Sequence, residues 1–419
     1  MHILMISPIP IFPTNVGDRV RIWQLAKGLA TYFELTLLLP TDEQTKNWHS
    51  LVTGHDIPNL SILPVESRPH HALKRLRSLL SSWPYHVALR YREALAQSVK
   101  ELVSKHTYHL IYCHQIYTLP YLVAGSSIPA ILDQHNVDRM YWQRQVDAHQ
   151  NSPILKWIIR RNLEKTIRFE MNMLPLVSGI VSVSEADRLE TRQYADSLLS
   201  SKGAKRPHFF VAPNGADIEH YRFREPLGTS AGRESDSSQL VLGFLGSMDL
   251  KLNQDAALTL IQEIYPAVQQ QLPDKEVSVL IIGRNPPRQL LDLARQGHIT
   301  VTGTVPDILP YLHQVDILVL PLQSGAGSKL RVLEAMSAGV CVVGSPLALV
   351  GAGLTTSTRL ANNHEEFVHA ICQLAQNPKS RHKMVLEARQ LVTERYSWEH
   401  ITSQLAQKIK ITYCSKKGI

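Results

Sequence analysis

Short apolar segments alternate with amphipathic segments along nearly the whole chain, and this alternation limits the possible folds more than any other feature. In the first half, the apolar strand candidates are His2–Ser7, Leu35–Pro40, Leu60–Val65, Leu110–Cys113, Ala130–Asp133, Gly179–Ser184 and Phe209–Ala212. A polar stretch, Glu225–Gln239, interrupts the pattern as a linker or mobile loop. The second half then adds Leu240–Gly246, Val277–Gly283, Ile299–Gly303, Ile317–Leu320 and Val340–Val343. Strands alternating with helices form parallel sheets, so we predict an α/β protein of two doubly wound, Rossmann-like domains facing a cleft.

Length and composition agree with this prediction. The chain has 419 residues, too many for one ordinary domain and a natural length for two. Its cysteines show neither paired nor metal-ligand spacing, so we expect free thiols in a reducing compartment. No apolar run approaches the roughly 18 residues of a membrane span. The first residues lack the basic start and long apolar core of a signal peptide. We therefore expect a cytoplasmic protein.

The segment from Pro321 to Val343 contains the most informative motif. An apolar strand runs into a Gly-Ala-Gly turn and then a helix, which places backbone amides at the carboxyl end of the strand, where anions bind. The predicted anion-binding residues are Gly325, Ala326, Gly327, Ser328, Lys329 and Arg331. Glu334 follows in the same helix and suits a pair of sugar hydroxyls. The motif indicates a nucleotide diphosphate site, unless Arg331 and Glu334 form only a surface ion pair.

Other loops that follow predicted strands add further candidates. In the first half, Gly17 precedes a helix that begins near Asp18, His114 ends the fourth strand, and His135 and Asn136 follow the fifth. In the second half, the candidates are Lys251, Gly283 and Arg284. A single histidine at a strand end is more often structural than catalytic, and Lys251 could be a solvated loop lysine. These structural alternatives stay open.

Several common motifs are absent from the sequence. It contains no Asp-x-Asp pair and no cysteine–histidine cluster with metal-ligand spacing, so we expect no metal and no other cofactor. It also lacks the strand–GxGxxG–helix fingerprint, which argues against a nicotinamide-dependent enzyme.

Several stretches resemble the retaining glycosyltransferases of family 4 (glycosyl transferase group 1), which have the GT-B architecture. The run VTGTVPDILPYLHQVDILVLPLQSGAGSKLRVLEAMSAGVCVVGSPLALVGAGL resembles their donor half. Val211–Phe223 resembles the crossing into the second domain, and Tyr396–Ile401 resembles the helix that returns to the first. The runs DQHNVDR, VSVSEADR and GSMDLKLNQDA resemble a subgroup associated with bacterial exopolysaccharide and exosortase (PEP-CTERM) loci. The resemblance implies an acceptor-side domain, 1–215 completed by helix 396–419, and a donor-binding domain, 216–395.

The family's donor-site residues carry over unevenly. Glu334 matches the second glutamate of the family's paired-glutamate motif, which holds the ribose hydroxyls, whereas the first would fall at Ala326. The family's arginine after the first strand of the second domain would fall at Ser247, and Lys251 stands where a nearby lysine is usual. Lys329, Arg331 and Lys251 would then neutralise the diphosphate.

The acceptor-side residues carry over by the same resemblance. His114 matches a histidine at the acceptor edge of the cleft, and Gly17 matches a glycine loop close to the donor diphosphate. The resemblance implies glycosyl transfer from a nucleotide diphosphate sugar to an acceptor hydroxyl, with retention of configuration and with His114 and Glu334 as catalytic residues. No carboxylate is placed as a covalent nucleophile. A front-face route, in which the leaving phosphate takes the acceptor proton, fits that pattern.

Three other functional classes remain open. The changes at Ala326 and Ser247 would fit a catalytically silent family member that binds a nucleotide sugar as a polysaccharide-assembly partner. A GT-B sugar epimerase would share the architecture. A nucleic-acid-binding protein would fit the net charge of +8, but no recognised binding motif accompanies the charge.

The basic residues are distributed unevenly and suggest an anionic partner. Arg68–His106 carries eight Lys and Arg against two acids, interleaved with leucines and aromatic residues. Such a stretch can lie on the anionic inner face of the plasma membrane, although a solvated helix face is the simpler explanation. The expected acceptor is a glycan or lipid-linked saccharide.

Overall fold

A computed structural model describes twelve parts of the chain, namely residues 1–14, 16–41, 57–66, 78, 80–122, 126–149, 152–200, 205–224, 238–295, 297–323, 330–349 and 357–414. The chain divides into two compact units. Unit 1 comprises Met1–Pro213 and Ile401–Ile419, and unit 2 comprises Asn214–His400. Residues 225–237 of the predicted linker lie outside the described residues.

Unit 1 contains a seven-stranded parallel sheet. Its strands are β1 (His2–Ile6), β2 (Glu34–Thr41), β3 (Leu60–Glu66), β4 (Leu110–His114), β5 (Ala130–Gln134), β6 (Gly179–Ser182) and β7 (His208–Val211). Their order is β3-β2-β1-β4-β5-β6-β7, and every neighbouring pair is parallel. The three central strands are almost entirely buried, as expected for a sheet covered on both faces.

Helices connect the strands of unit 1. They are α1 (Gly17–Ala30), α2 (Tyr85–Arg90), α3 (Glu93–Lys105), α4 (Asp138–Ala148), α5 (Pro153–Met173) and α6 (Glu185–Ser200), with short 3-10 helices at Ile116–Tyr121 and Leu174–Leu176. The apolar side chains of α3, Leu95 and Val99, are fully buried in the core. The described part of this predicted basic stretch therefore exposes mainly polar residues.

Unit 2 repeats the same plan with six strands. They are β8 (Gln239–Leu245), β9 (Glu276–Ile282), β10 (Ile299–Val301), β11 (Ile317–Leu320), β12 (Cys341–Gly344) and β13 (Arg359–Leu360), in the order β10-β9-β8-β11-β12-β13. The described helices are α7 (Lys251–Thr259), α8 (Tyr265–Gln271), α9 (Arg288–Ala294), α10 (Leu309–Leu312), α11 (Leu330–Ala338), α12 (Pro346–Leu349), α13 (His364–Gln376), α14 (Pro378–Leu391) and α15 (Trp398–Ile409), which begins in unit 2 and ends in unit 1. π-Helical turns follow α7, α14 and α15 at Leu260–Ile264, Val392–Tyr396 and Lys410–Cys414.

Both sheets have the order of a doubly wound fold, so the predicted α/β class with two Rossmann-like domains is confirmed. The strand order reverses between β1 and β4 in unit 1, and between β8 and β11 in unit 2. Ligands bind doubly wound sheets at the carboxyl ends of the strands beside such a reversal. Among the described helices, none combines the length and apolar composition needed to cross a bilayer.

Candidate functional site

A buried ion pair organises the carboxyl ends of the unit 1 strands. Arg21 of α1 donates from Nε to Asp133 Oδ2 at 3.0 Å and from Nη2 to Oδ1 at 2.6 Å, while its Nη1 donates to the carbonyl of Pro213 at 3.3 Å. Both side chains of the ion pair are at most 1% exposed. Burial alone would raise the pKa of Asp133, but the charge of Arg21 and hydrogen bonds from two histidines hold it well below its usual range.

Those two histidines are His114 and His135. In the sheet His114 stands opposite Asp133, and its Nδ1 lies 3.0 Å from Asp133 Oδ2. His135 bridges two carboxylates, with Nε2 3.4 Å from Asp133 Oδ2 and Nδ1 3.0 Å from Asp18 Oδ1. Burial lowers the pKa of His114 to about 4, whereas the two carboxylates raise the pKa of His135 despite its burial. We therefore assign a neutral His114, with its proton on Nδ1, whereas the two carboxylates favour the protonated form of His135.

This arrangement leaves His114 neutral and shielded from solvent. Its side chain is fully buried, and its Nε2 has no hydrogen-bond partner among the described residues. The histidine assigned to the acceptor edge thus lies beneath the surface. The half-exposed Asp18 is the member of this group that meets solvent, with a side chain 43% exposed.

The backbone beside His114 is strained. Gln115 adopts φ 60° and ψ 158°, a region essentially restricted to glycine. Its amide donates to the carbonyl of Asp133 at 2.8 Å, and its side chain hydrogen-bonds Asp18. Strain of this kind costs about 1–3 kcal/mol and clusters at functional sites. Gln115 therefore joins Asp18 and the two histidines as part of the candidate site at this end of the sheet.

A second polar group lies on the helices next to these strands. Asn162 Oδ1 accepts from the amide of Tyr85 at 2.7 Å, so its Nδ2 faces His86 Nδ1 at 3.3 Å as a donor. His86 must then carry its proton on Nε2, and that buried N–H has no partner among the described residues. The nearest carboxylate oxygen, Asp138 Oδ1, is 3.8 Å away.

Asp138 is the most unusual carboxyl of this group. Burial raises its pKa to about 7, while the charge of Arg90, the charge of His135 and a hydrogen bond from Tyr117 act in the opposite direction. The guanidinium of Arg90 lies 4.5 Å from the centre of the Tyr117 ring. A carboxyl that titrates near neutrality beside unsatisfied donors is typical of functional sites.

Three side chains of unit 1 also have the spacing of metal ligands. One ligand atom each from His114, Asp133 and His135 lies within 4.8 Å of the others. Arg21, however, already engages both oxygens of Asp133, and its charge repels a cation. The hydrogen bonds described above account for the arrangement, and these residues do not fit a metal.

In unit 2, Arg331 lies on α11 beside the reversal of strand order. Its Nη1 donates to the carbonyl of Leu245 and to Asn253 Oδ1, each at 3.0 Å. Asn253 in turn donates to the carbonyl of Ser247 at 2.7 Å. Arg331 thus supports the turn after β8 instead of pairing with Glu334 on the surface.

Glu334 lies one turn further along α11 and is half-buried. Burial raises its pKa, and a hydrogen bond from Tyr221 and the charge of Arg331 partly oppose that shift. The same burial and the Glu334 charge raise the pKa of the Tyr221 hydroxyl, which therefore acts as a donor. Tyr221 belongs to the segment that crosses into unit 2, and Ser337 and Arg389 both donate to its carbonyl. These contacts fix the carboxylate from outside α11.

The turn after β8 brings together the other predicted donor-site residues. Arg284 Nε donates to Ser247 Oγ at 3.1 Å and to Asp249 Oδ2 at 2.8 Å. The cation of Arg284 therefore occupies the neighbourhood of Ser247, where the resemblance places an arginine. Lys251 pairs instead with Asp255 at 2.6 Å, and both side chains are largely exposed.

Gly283 has a packing role. A Cβ on this residue would lie 2.0 Å from the carbonyl oxygen of Gly246, because the turn after β8 crosses directly over the end of β9. The amide of Gly246 donates to Ile282, and that of Met248 donates to Arg284, both at 3.0 Å. This close approach explains the glycine without a ligand.

The remaining predicted residues fall into two groups. Gly17 begins α1, and the adjacent Asp18 reaches the histidine group. Outside the described residues lie Gly325, Ala326, Gly327, Ser328 and Lys329.

Sequence reasoning did not assign roles to Arg21, Asp133, His86 or Asp138. The only local signal was the clustering of Asp133, His135 and Asp138 within the run DQHNVDR.

Comparison with known proteins gives unit 2 a family. Residues 239–377 match the sequence profile of the glycosyl transferases group 1, so unit 2 carries a domain of that family. A search of curated proteins finds no sequence match to the chain.

Several solved structures are similar along the whole chain. Sucrose-phosphate synthase from Thermosynechococcus elongatus has a TM-score of 0.68 at 16% identity, covering 99% of this chain and 100% of its own. HepE from Anabaena, in complex with UDP and glucose, has a TM-score of 0.62 at 17% identity, covering 98% and 100%. An α,α-trehalose-phosphate synthase (UDP-forming) from Burkholderia vietnamiensis has a TM-score of 0.60 at 11% identity, covering 98% and 100%. At these identities the likeness concerns the fold, and the chain has the two Rossmann-like domains of GT-B proteins, as predicted.

Proposed function

We propose that the protein transfers a glycosyl group from a nucleotide diphosphate sugar to an acceptor hydroxyl, with retention of configuration. The observation that carries this proposal is the half-buried Glu334, held by Tyr221 at the strand-order reversal of a glycosyl transferases group 1 domain. A fixed carboxylate at this place suits two ribose hydroxyls, because each hydroxyl can donate to one oxygen.

The donor diphosphate would lie at the turn after β8 and the start of α11. Arg284 and Arg331 converge there, with Arg284 supplying the cation that Ser247 does not. Positive charge held in place at the departing diphosphate stabilises the transition state, and such electrostatic stabilisation is usually the largest single contribution to catalysis. The Anabaena neighbour, solved with UDP and glucose, makes a uridine nucleotide the first donor to test.

The acceptor would bind on unit 1, at the ends of β1, β4 and β5. Asp18 offers a half-exposed carboxylate and Asp138 a carboxyl that is 13% exposed, and the buried, unsatisfied Nε2–H of His86 lies 3.8 Å from Asp138 Oδ1. Such groups suit the hydroxyls of a saccharide. The expected acceptor is a glycan or lipid-linked saccharide of exopolysaccharide or cell-surface polysaccharide synthesis.

In the proposed mechanism, the bond between the anomeric carbon and the leaving phosphate breaks first. The phosphate oxygen then takes the proton of the acceptor hydroxyl while that hydroxyl attacks the same face of the sugar. His114 lies too deep to touch these atoms in the described arrangement, so its role would be to position the surrounding residues. This route needs no metal.

The experiment combines donor binding with product analysis. Wild type, Glu334→Ala and an exposed control, Glu394→Ala, are screened by thermal shift against UDP-, GDP-, ADP- and dTDP-sugars. Specific binding raises the unfolding temperature, so the wild type and the Glu394→Ala control should respond to one donor while Glu334→Ala should not. With that donor and an acceptor, nuclear magnetic resonance should show a product with the donor's anomeric configuration.

Three outcomes would contradict the proposal. Donor binding without transfer to any acceptor would indicate a catalytically silent assembly partner. Epimerised sugar nucleotide formed without an acceptor would indicate an epimerase. Full turnover in Glu334→Ala would show that the ribose site lies elsewhere.

A further inference from the structure

Helix α5 exposes an apolar face that no described residue covers. Its first two turns present Ile154, Trp157 and Ile158, which are 77%, 63% and 45% exposed. The spacing of three and four residues places them on one side of the helix. A Trp and two Ile side chains in water are unfavourable unless another surface covers them, because burying such a side chain contributes about 1.5–3 kcal/mol.

The opposite side of α5 already has its partner. Ile159 and Leu163 pack with Val146 of α4 in a small separate core. The exposed face therefore cannot turn inward without breaking this core. Tyr141 of α4, 42% exposed, adds an aromatic ring to the outer surface of the same helical pair.

Cations flank the apolar face. Arg160 of α5 and Arg144 of α4 have no carboxylate partner among the described residues. Further along the exposed side, Arg161 and Arg168 share one carboxylate, Glu164, at 3.8 Å each. The cations therefore exceed the nearby carboxylates on this face.

We propose that this α4–α5 face docks on an anionic lipid surface. Trp157 and the two Ile side chains would enter the interface, where amphipathic helices bury their apolar residues. Arg168, the last cation on the exposed side of α5, follows Trp157 by eleven residues, or about 16 Å along the helix axis. The basic residues would therefore lie along the phosphate groups of the lipids. The positive charge of this face favours an anionic lipid surface over a second copy of the chain, because a second copy would bring the same cations against each other. The inference goes beyond sugar transfer and does not depend on it.

This surface differs from the basic stretch 68–106 indicated by the sequence. Residues 67–77 and 79 lie outside the described residues, and the described remainder exposes one large apolar side chain, Leu80, at 83%. The two surfaces can therefore be separated by substitution. Leu80→Ser tests the stretch 68–106, and Leu386→Ser, on an exposed site of unit 2, is the matched control.

The test is co-sedimentation of the full chain with vesicles of phosphatidylcholine alone or with 30% phosphatidylglycerol. The wild type should bind the anionic vesicles, and added salt should weaken that binding. The double variant Ile154→Ser/Trp157→Ser should bind at least about tenfold more weakly. The double variant Arg160→Gln/Arg168→Gln should lose roughly fivefold for each cation removed. All the substituted residues are at least partly exposed, so the unfolding temperature should change little.

Binding can also be read from the position of Trp157 itself. Brominated lipids should quench more fluorescence in wild type than in Trp157→Ser. Equal binding to neutral vesicles, or unchanged binding of the Ile154→Ser/Trp157→Ser variant, would overturn the proposal. Loss of binding only in Leu80→Ser would assign the contact to stretch 68–106. A concentration-dependent dimer that Trp157→Ser disrupts would assign the face to a second copy of the chain.

Discussion

Replacing Asp133 by Asn should be among the most destabilising conservative changes in unit 1. The substitution keeps the shape of the side chain but removes the charge that faces Arg21, whose guanidinium is 1% exposed and cannot reach water. Removing one partner of a buried ion pair costs about 3–5 kcal/mol, because an uncompensated charge remains in the interior. For a unit of this size, each kcal/mol lowers the unfolding temperature by about 2–4 °C. The expected decrease is therefore roughly 6–20 °C.

The reasoning depends on coupling between the two side chains, which a double-mutant cycle measures. Arg21→Met/Asp133→Asn removes both charges but keeps an oxygen that accepts from the two histidines, so it should recover most of the loss, since a buried pair is often no better than its uncharged equivalent. The exposed control Asp147→Asn should change stability by less than about 0.5 kcal/mol.

Because the chain has two units and need not unfold in one step, unfolding is best followed locally. Hydrogen exchange of β5 peptides reports unit 1, and β11 peptides serve as the internal reference for unit 2. If the double variant is as unstable as Asp133→Asn, charge is not the cause and the argument fails.

Three further predictions concern individual groups. Asp138→Asn should raise the acceptor KM about tenfold without weakening donor binding. It should also abolish a pH dependence of activity centred near 7, which comes from the raised pKa of this carboxyl. An unchanged acceptor KM would exclude Asp138 from the site. Gly283→Ala should destabilise unit 2 by about 1–3 kcal/mol, because the new Cβ meets the Gly246 carbonyl oxygen at 2.0 Å; a variant as stable as the wild type would contradict this packing role. The pKa of His135 is raised above the ordinary 6.5, so its contribution to stability is complete below about pH 6.5 and is lost as the pH rises through the pKa of the folded state. His135→Gln should therefore remove this loss of stability at higher pH from thermal scans. An identical pH profile in both proteins would refute the assignment.

The elements of this fold could be predicted largely from local pattern. Buried strands such as β4 and β11 are continuous apolar runs, and Gly339 ends α11 with φ +84°, a conformation natural to glycine. The family profile of residues 239–377 agrees with the resemblance found in the donor segment. Each of these signals lies within a few consecutive residues, which is why the sequence alone contains them.

The candidate site, by contrast, depends on contacts between residues that are far apart along the chain. Arg21 and Asp133 are 112 residues apart, and Arg284 reaches Ser247 across 37 residues. No periodicity records such pairs, because they arise from the order in which strands join the sheet. The burial of His114 has the same origin: its place at a strand end follows from the sequence, but neighbouring strands decide whether its ring meets solvent.

The amino-acid sequence by itself thus determined two parallel-sheet domains and the helix that carries Glu334, because hydrophobic periodicity and turn residues are local properties. Only the tertiary structure decided which polar groups share a charge, which glycine is a packing residue and which apolar face stays uncovered. Helix α5 shows the difference, since Trp157 and Leu163 are both apolar in sequence and only the packing of α4 buries one and leaves the other in water. Burial depends on what lies opposite, and that is set by the fold as a whole.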